Sequence, residues 1–96
     1  MTARVMSVTL KPESIVEATA EWPEHIARFK GKGLVAGYLF VDHTTGNGLS
    51  ITIWESADTQ AANAASPEQA EGRTAMMRYF AGAPTPSVYT VGAVVR

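Results

Sequence analysis

From Leu49 to Trp54 the side chains alternate in kind, with Leu49, Ile51 and Ile53 on one phase and Ser50, Thr52 and Trp54 on the other. That is the period of a strand with two unlike faces. Just upstream, His43-Thr44-Thr45-Gly46-Asn47-Gly48 carries the Gly and Asn residues of a tight turn. Before the turn, Leu34 to Val41 is an apolar run of strand length in which Tyr38 and Phe40 favour β structure. The alternating segment is therefore the second half of a β-hairpin. It ends in Trp54-Glu55-Ser56, and Ser56 is placed to cap a short helix over 57–65. A Trp aimed off a strand end toward the following helix is where a small α+β domain walls a pocket.

The rest of the chain supplies what such a hairpin packs on. Arg4 to Leu10 reads as a first strand, with Val5, Ser7 and Thr9 on one side and Met6, Val8 and Leu10 on the other. Pro12 closes it, and Glu13-Ser14 place acid in the first turn of a helix. Ile15, Ala18, Trp22, Ile26 and Phe29 follow as a one-sided apolar stripe. Pro23 either kinks that helix or opens a second one as its first residue. Ser66-Pro67-Glu68-Gln69 is a further helix start, and Ala70, Thr74, Met77 and Phe80 or Ala81 continue as its expected buried face. Gly82, Pro84 and Pro86 end it, leaving Val88 to Val95 as the last strand.

This order predicts a ferredoxin-like α+β fold, βαββαβ, with a four-stranded antiparallel sheet and both helices on one face. Residues 1–96 form a single domain on this reading. The aliphatic face carrying Leu49, Ile51 and Ile53 is too apolar to meet water, so it is expected to pack on a second copy in a homodimer. The hydroxyl-bearing face, with Ser7 on the first strand, is then expected to meet the helices. Unpaired buried hydroxyls cost roughly 1–3 kcal/mol each, so they either bond backbone carbonyls or border a space holding water or ligand.

Composition narrows the function classes. With 46% hydrophobic and 18% charged residues the chain is globular rather than disordered. The eight Lys and Arg are scattered and the formal net charge is −1, which argues against binding nucleic acid through a basic patch. With no Cys there are no disulfides, thiolate nucleophiles or zinc–thiolate sites. The start lacks an apolar signal core and no run approaches membrane-spanning length, so a cytoplasmic protein without membrane attachment is expected.

In element order, and in Thr52-Ile53-Trp54-Glu55-Ser56, the chain resembles the dimeric α+β barrel proteins, and most closely the antibiotic biosynthesis monooxygenase-like family, whose motif at this junction is Trp-Glu-Ser. The resemblance spans nearly the whole chain. It implies a barrel formed by two sheets, with one cavity per subunit between sheet and helices. Some members oxidise aromatic polyketides, anthrones to quinones, with oxygen and neither metal nor organic cofactor; others bind and degrade haem. Haem degraders carry a His on the second helix and an Asn on the first strand. Here Ala57 to Phe80 contains no His and the strand has Ser7, so haem degradation does not fit. Against the polyketide oxidisers, Ser50 stands where Asn is expected and Gln60 where an aromatic is common, while Arg73 lies within a residue of their helix Arg.

Individual residues carry two readings each. Trp54 matches the motif Trp that lines the oxidisers' pocket, where it can donate its N–H to a ligand carbonyl; otherwise it is a core anchor. His25 borders the apolar stripe and is suited to accept a proton from a phenol or activated methylene; otherwise it is amphipathic surface. Arg73 can stabilise developing negative charge, or pair on the surface with Glu68 or Glu71. His43 and Asp42 are explained by the turn, and no metal site is expected. The function expected is a cofactor-free monooxygenase acting on a phenolic or polycyclic aromatic molecule. Its expected catalytic residues are His25 and Arg73, and its substrate-binding residues Trp54, Ser50, Thr52 and Ser7. The alternative is a non-catalytic dimeric module that binds a small apolar ligand or serves a structural role.

Overall fold

The first and third strands meet at the centre of the sheet, and their register decides what every other residue faces. The computed structural model describes residues 1–96. The elements are β1 (Thr2–Thr9), α1 (Ile15–Ala27), β2 (Leu34–Val41), β3 (Asn47–Trp54), α2 (Ala57–Ala64), α3 (Pro67–Met76) and β4 (Thr85–Thr90). They form one antiparallel four-stranded sheet in the order β2-β3-β1-β4, the ferredoxin-like arrangement. α1 and α2 pack on the sheet, and α3 packs on both helices.

In β1 and β3, Met6 pairs with Ser50, Arg4 with Thr52, and Ser7 with Leu49. Even-numbered residues of both strands therefore share the helix-covered face, and odd-numbered residues share the open one. The expected separation on β3 holds: Ser50, Thr52 and Trp54 face the helices, and Leu49, Ile51 and Ile53 do not. The expected phase of β1 is inverted. Met6, Val8 and Leu10 lie under the helices with Arg4, while Ser7 is exposed on the open face. Strand alternation gives two faces but not which one is covered.

α1 runs unbroken through Pro23, so it is one helix. Thr19, whose carbonyl loses its partner at Pro23, is exposed, like Pro23 itself. A Pro in a helix interior costs about 3 kcal/mol. Burial of Ile15 and, just past the helix, Phe29 offsets this at roughly 1.5–3 kcal/mol per large side chain. Ile15 and Ala18 join Val8, Leu10, Met76 and Tyr79 in the main core. Trp54 and Phe29 form a second nucleus, with ring centroids 6.0 Å apart.

Both α2 and α3 begin as expected. Ser56 Oγ accepts from the Thr59 N–H while the Thr59 hydroxyl accepts from the Ser56 N–H, and Ser66 Oγ accepts from the Gln69 N–H. The inner face of α3 differs from the expected one. Gly72 and Met76 are buried, whereas Thr74 and Met77 are exposed. β4 begins at Thr85, not Val88, and contains Pro86. As an edge strand paired only with β1, it tolerates a residue without an N–H.

The hairpin turn locks onto the end of β1. Asp42 Oδ1 accepts from the Thr44 N–H at 2.8 Å, and Leu10 donates its N–H to the Gly46 carbonyl at 2.8 Å. Gly46 has φ +80°, and a Cβ there would lie 2.2 Å from the Leu10 carbonyl oxygen. Gly46→Ala should therefore destabilise the protein by at least about 1–3 kcal/mol, read as a lower urea midpoint. An unchanged midpoint would contradict this account of the turn.

Candidate functional site

Between the sheet and the α1–α3 pair lies a cavity whose apolar wall includes Met6, Val8, Trp22, Ile26, Phe29 and Met76. Its polar lining is Arg4, His25, Ser50, Thr52, Gln69 and Arg73. The space open to water-sized molecules is about 70 Å3, at the bottom of a recess of about 720 Å3 that includes open solvent at its mouth. The smaller figure is the one that limits a ligand, since open solvent is not enclosed volume.

The polar lining explains why the inner face of α3 escapes an apolar pattern. Gln69, Gly72, Arg73 and Met76 recur at helical spacing, but two of the four are polar because they border a cavity. Gly72 faces His25 across the α1–α3 contact: a Cβ there would sit at ordinary contact distance, 3.4 Å from His25 Cβ and 3.5 Å from its Nδ1.

His25 is held by its neighbours. Its Nε2 lies 2.8 Å from Glu21 Oε2, one helical turn earlier. Glu21 Oε1 accepts from the Tyr79 hydroxyl at 2.8 Å and from Arg78, whose Nη2 also donates to the Tyr79 oxygen at 2.8 Å. The hydrogen bond from His25, then that from Tyr79, with the charges of Arg78 and His25 adding, hold the Glu21 carboxyl below its ordinary value. An ionised carboxylate only accepts, so in the neutral imidazole Nε2 carries the hydrogen and Nδ1 keeps its lone pair.

Ser50 Oγ accepts from Trp22 Nε1 at 3.0 Å, leaving its own hydrogen available to a ligand. Arg4 is buried at 6% exposure; its Nη2 donates to Asn63 Oδ1 at 2.9 Å, and its guanidinium lies 5.7 Å from the Trp54 ring centre. Burial, and secondarily the charge of Arg73, lower the pKa of Arg4. Arg73 does not pair as the surface reading expects, because Glu71 binds Arg28 at 3.0 Å and none of the ion pairs includes Arg73.

Of the residues singled out in the sequence, His25, Arg73, Ser50 and Thr52 thus border one cavity. Two others do not. Trp54 is 0% exposed and its indole N–H donates to Thr52 Oγ1 at 2.9 Å, which makes it a core anchor rather than a cavity wall. Ser7 lies on the opposite face of the sheet, for the register reason given above. Gln60 is buried on α2, outside the cavity. Arg4, Trp22, Gln69 and the supports Glu21 and Asn63 were not singled out as site residues. For Arg4 the signal was available, since it shares its phase with Met6, Val8 and Leu10 and breaks an otherwise apolar row.

No protein-family model matches the chain, and no curated protein does. Among solved structures the fold recurs throughout. A protein from Bordetella bronchiseptica, provisionally named an antibiotic biosynthesis monooxygenase, superposes with a TM-score of 0.80 at 16% identity, covering 98% of this chain and 97% of that one. A structure named antibiotic biosynthesis monooxygenase gives 0.76 at 17%, over 97% and 100%. SnoaB, a cofactor-independent oxygenase from Streptomyces nogalater, gives 0.75 at 18%, over 98% and 95%. What these share with the chain is the fold. It is the fold that the Trp-Glu-Ser resemblance implied.

The Glu21 contacts carry a pH signature. Because its folded pKa is depressed, its contribution to stability is fully present above the unfolded carboxylate value of about 4.3 and is lost as pH falls through the lower folded value. Glu21→Gln should unfold at lower urea than the unmodified chain at neutral pH, with the two midpoints converging as pH falls below about 4. Parallel curves would mean that Glu21 is not ionised in these contacts.

Proposed function

We propose that the chain is a cofactor-independent monooxygenase acting on a phenolic ring compound, with His25 as proton acceptor. The observation that supports this reading is the His25–Glu21 pair at 2.8 Å, which leaves Nδ1 as the ring nitrogen free to act beside an apolar cavity. It is joined by the fold held in common with SnoaB, a cofactor-independent oxygenase.

In this mechanism His25 takes the proton of the bound phenol or activated methylene. The resulting anion passes one electron to oxygen, and the radical pair recombines to a peroxide. Loss of water then leaves a carbonyl: the substrate gives up two hydrogens, both from the methylene carbon or, in a phenol, one from the ring carbon and one from the hydroxyl, the carbon gains one oxygen atom, and the second oxygen leaves as water. Ser50 donates to the substrate oxygen, and Arg73 stabilises the developing charge. A polycyclic substrate would have to push aside Met6 and Met76, since ligand pockets generally measure about 300–1,000 Å3.

The test is oxygen uptake with a hydroquinone and an anthrone, each in the presence of a metal chelator. The unmodified chain should consume oxygen, and His25→Ala should slow it by about 100-fold or more. A retained rate in that variant removes His25 from the mechanism. The small cavity, about 70 Å3, favours the second reading, a non-catalytic module that binds a small apolar ligand. Absence of uptake with both substrates would select it.

The open sheet face belongs to the same proposal. Tyr38, Phe40 and Leu49 are 50%, 53% and 39% exposed there, beside Ile51 and Ile53. A second copy packed sheet to sheet covers this apolar surface. Ile51→Glu should turn a dimer into a monomer or an aggregate in sedimentation. An unchanged sedimentation coefficient would sink the interface.

A further inference from the structure

The cavity lining contains Arg4, Arg73 and His25, and no Asp or Glu. A guanidinium as buried as Arg4 ordinarily has a carboxylate partner, because an isolated buried charge is strongly disfavoured. Arg4 instead has one neutral acceptor, Asn63 Oδ1, and the face of Trp54. No fully buried side-chain nitrogen lacks a partner, so its remaining N–H groups are not sealed inside protein. Arg4 is one of the residues that line the cavity. Arg73 reaches the same cavity from α3 and has no anionic partner either. Two acids adjacent in sequence to cavity-lining residues are engaged elsewhere, Glu21 with His25, Tyr79 and Arg78, and Glu71 with Arg28.

We propose that the cavity is made for an organic carboxylate carried on a single aromatic ring, its charge held between Arg4 and Arg73. The inference rests on the phenol-oxygenase reading for the chemistry of the ring but not for the anion. A carboxylate supplies what both guanidiniums lack, and a guanidinium fork matches it in two parallel hydrogen bonds. The ring lies against Trp22, Ile26 and Phe29, with Ser50 able to donate to a ring hydroxyl. Met6 and Met76 border the space, and their unbranched, pliable side chains yield to the ring.

The pair of probes that isolates the charge is 4-hydroxybenzoate and its neutral isostere 4-hydroxybenzamide, titrated calorimetrically without oxygen. The carboxylate should bind at least about tenfold more tightly than the amide, the scale of one charge-assisted hydrogen bond. Arg4 is buried and its replacement endangers folding, so the exposed Arg73 carries the variant. Arg73→Gln should remove most of that preference while the circular dichroism spectrum stays the same. Equal affinity for the two probes, a preference that survives Arg73→Gln, or no binding of either at millimolar concentration would each overturn the proposal. Carboxylate-selective binding without oxygen uptake would uphold it and remove the oxygenase. Uptake with neutral phenols but no carboxylate preference would do the reverse.

Discussion

The pairing of β1 with β3 is the constraint on which everything else in the molecule depends. With Arg4 opposite Thr52 and Met6 opposite Ser50, one face of the two central strands presents a guanidinium, two hydroxyls and apolar side chains to the helices. A slip by a single residue would turn Ser7 inward and bring Arg4 out to the open face, because side chains alternate with a period of two. The cavity, its charge and the apolar outer face would all be lost together. The turn through Gly46 holds that register from one end, by joining the hairpin to the backbone of Leu10.

Charge is sorted in the same structure. On one side of α1, Glu21 gathers His25, Tyr79 and Arg78 into a compensated cluster. On the cavity side, Arg4 and Arg73 stand without an acid. His25 bridges the two, with one ring nitrogen tied to the carboxylate and the ring itself bordering the cavity. Glu21 therefore acts on the cavity only through His25, by setting which nitrogen carries the hydrogen and holding the ring in place. A carboxylate placed directly in the cavity would have neutralised the arginines and left nothing for a ligand to satisfy.

The fold was legible because its signals are local. β2, the hairpin turn, the Ser56 and Ser66 caps and the α1 stripe are each set by residues within a few positions of one another. The site was only partly legible, because three of its features depend on partners distant in sequence. The phase of β1 needs the register with β3, and matching hydroxyl-bearing faces puts Ser7 on the wrong side. The role of Trp54 turns on whether its N–H is already occupied, and Thr52 occupies it. Trp22, read as a member of an apolar stripe, bonds Ser50 across 28 positions. The last strand was misplaced for a different reason: Pro86 reads as a breaker unless the strand is known to be at an edge.

The polar residues that blurred the helix pattern are themselves the argument for a site. A helix packing on its neighbours only for stability would fill the inner positions of α3 with aliphatic side chains. Here those positions hold Gln69, Gly72 and Arg73 before Met76 restores apolar contact. Arg4 likewise interrupts a row of Met6, Val8 and Leu10 where a further aliphatic residue would be more favourable in a dry core. Each departure weakens packing, and all of them border the same small space. Thr2, Gln60 and Asn63 are buried outside it, but Arg4, Gln69 and Arg73 border one cavity from a strand and a helix, and that convergence is what a ligand site requires.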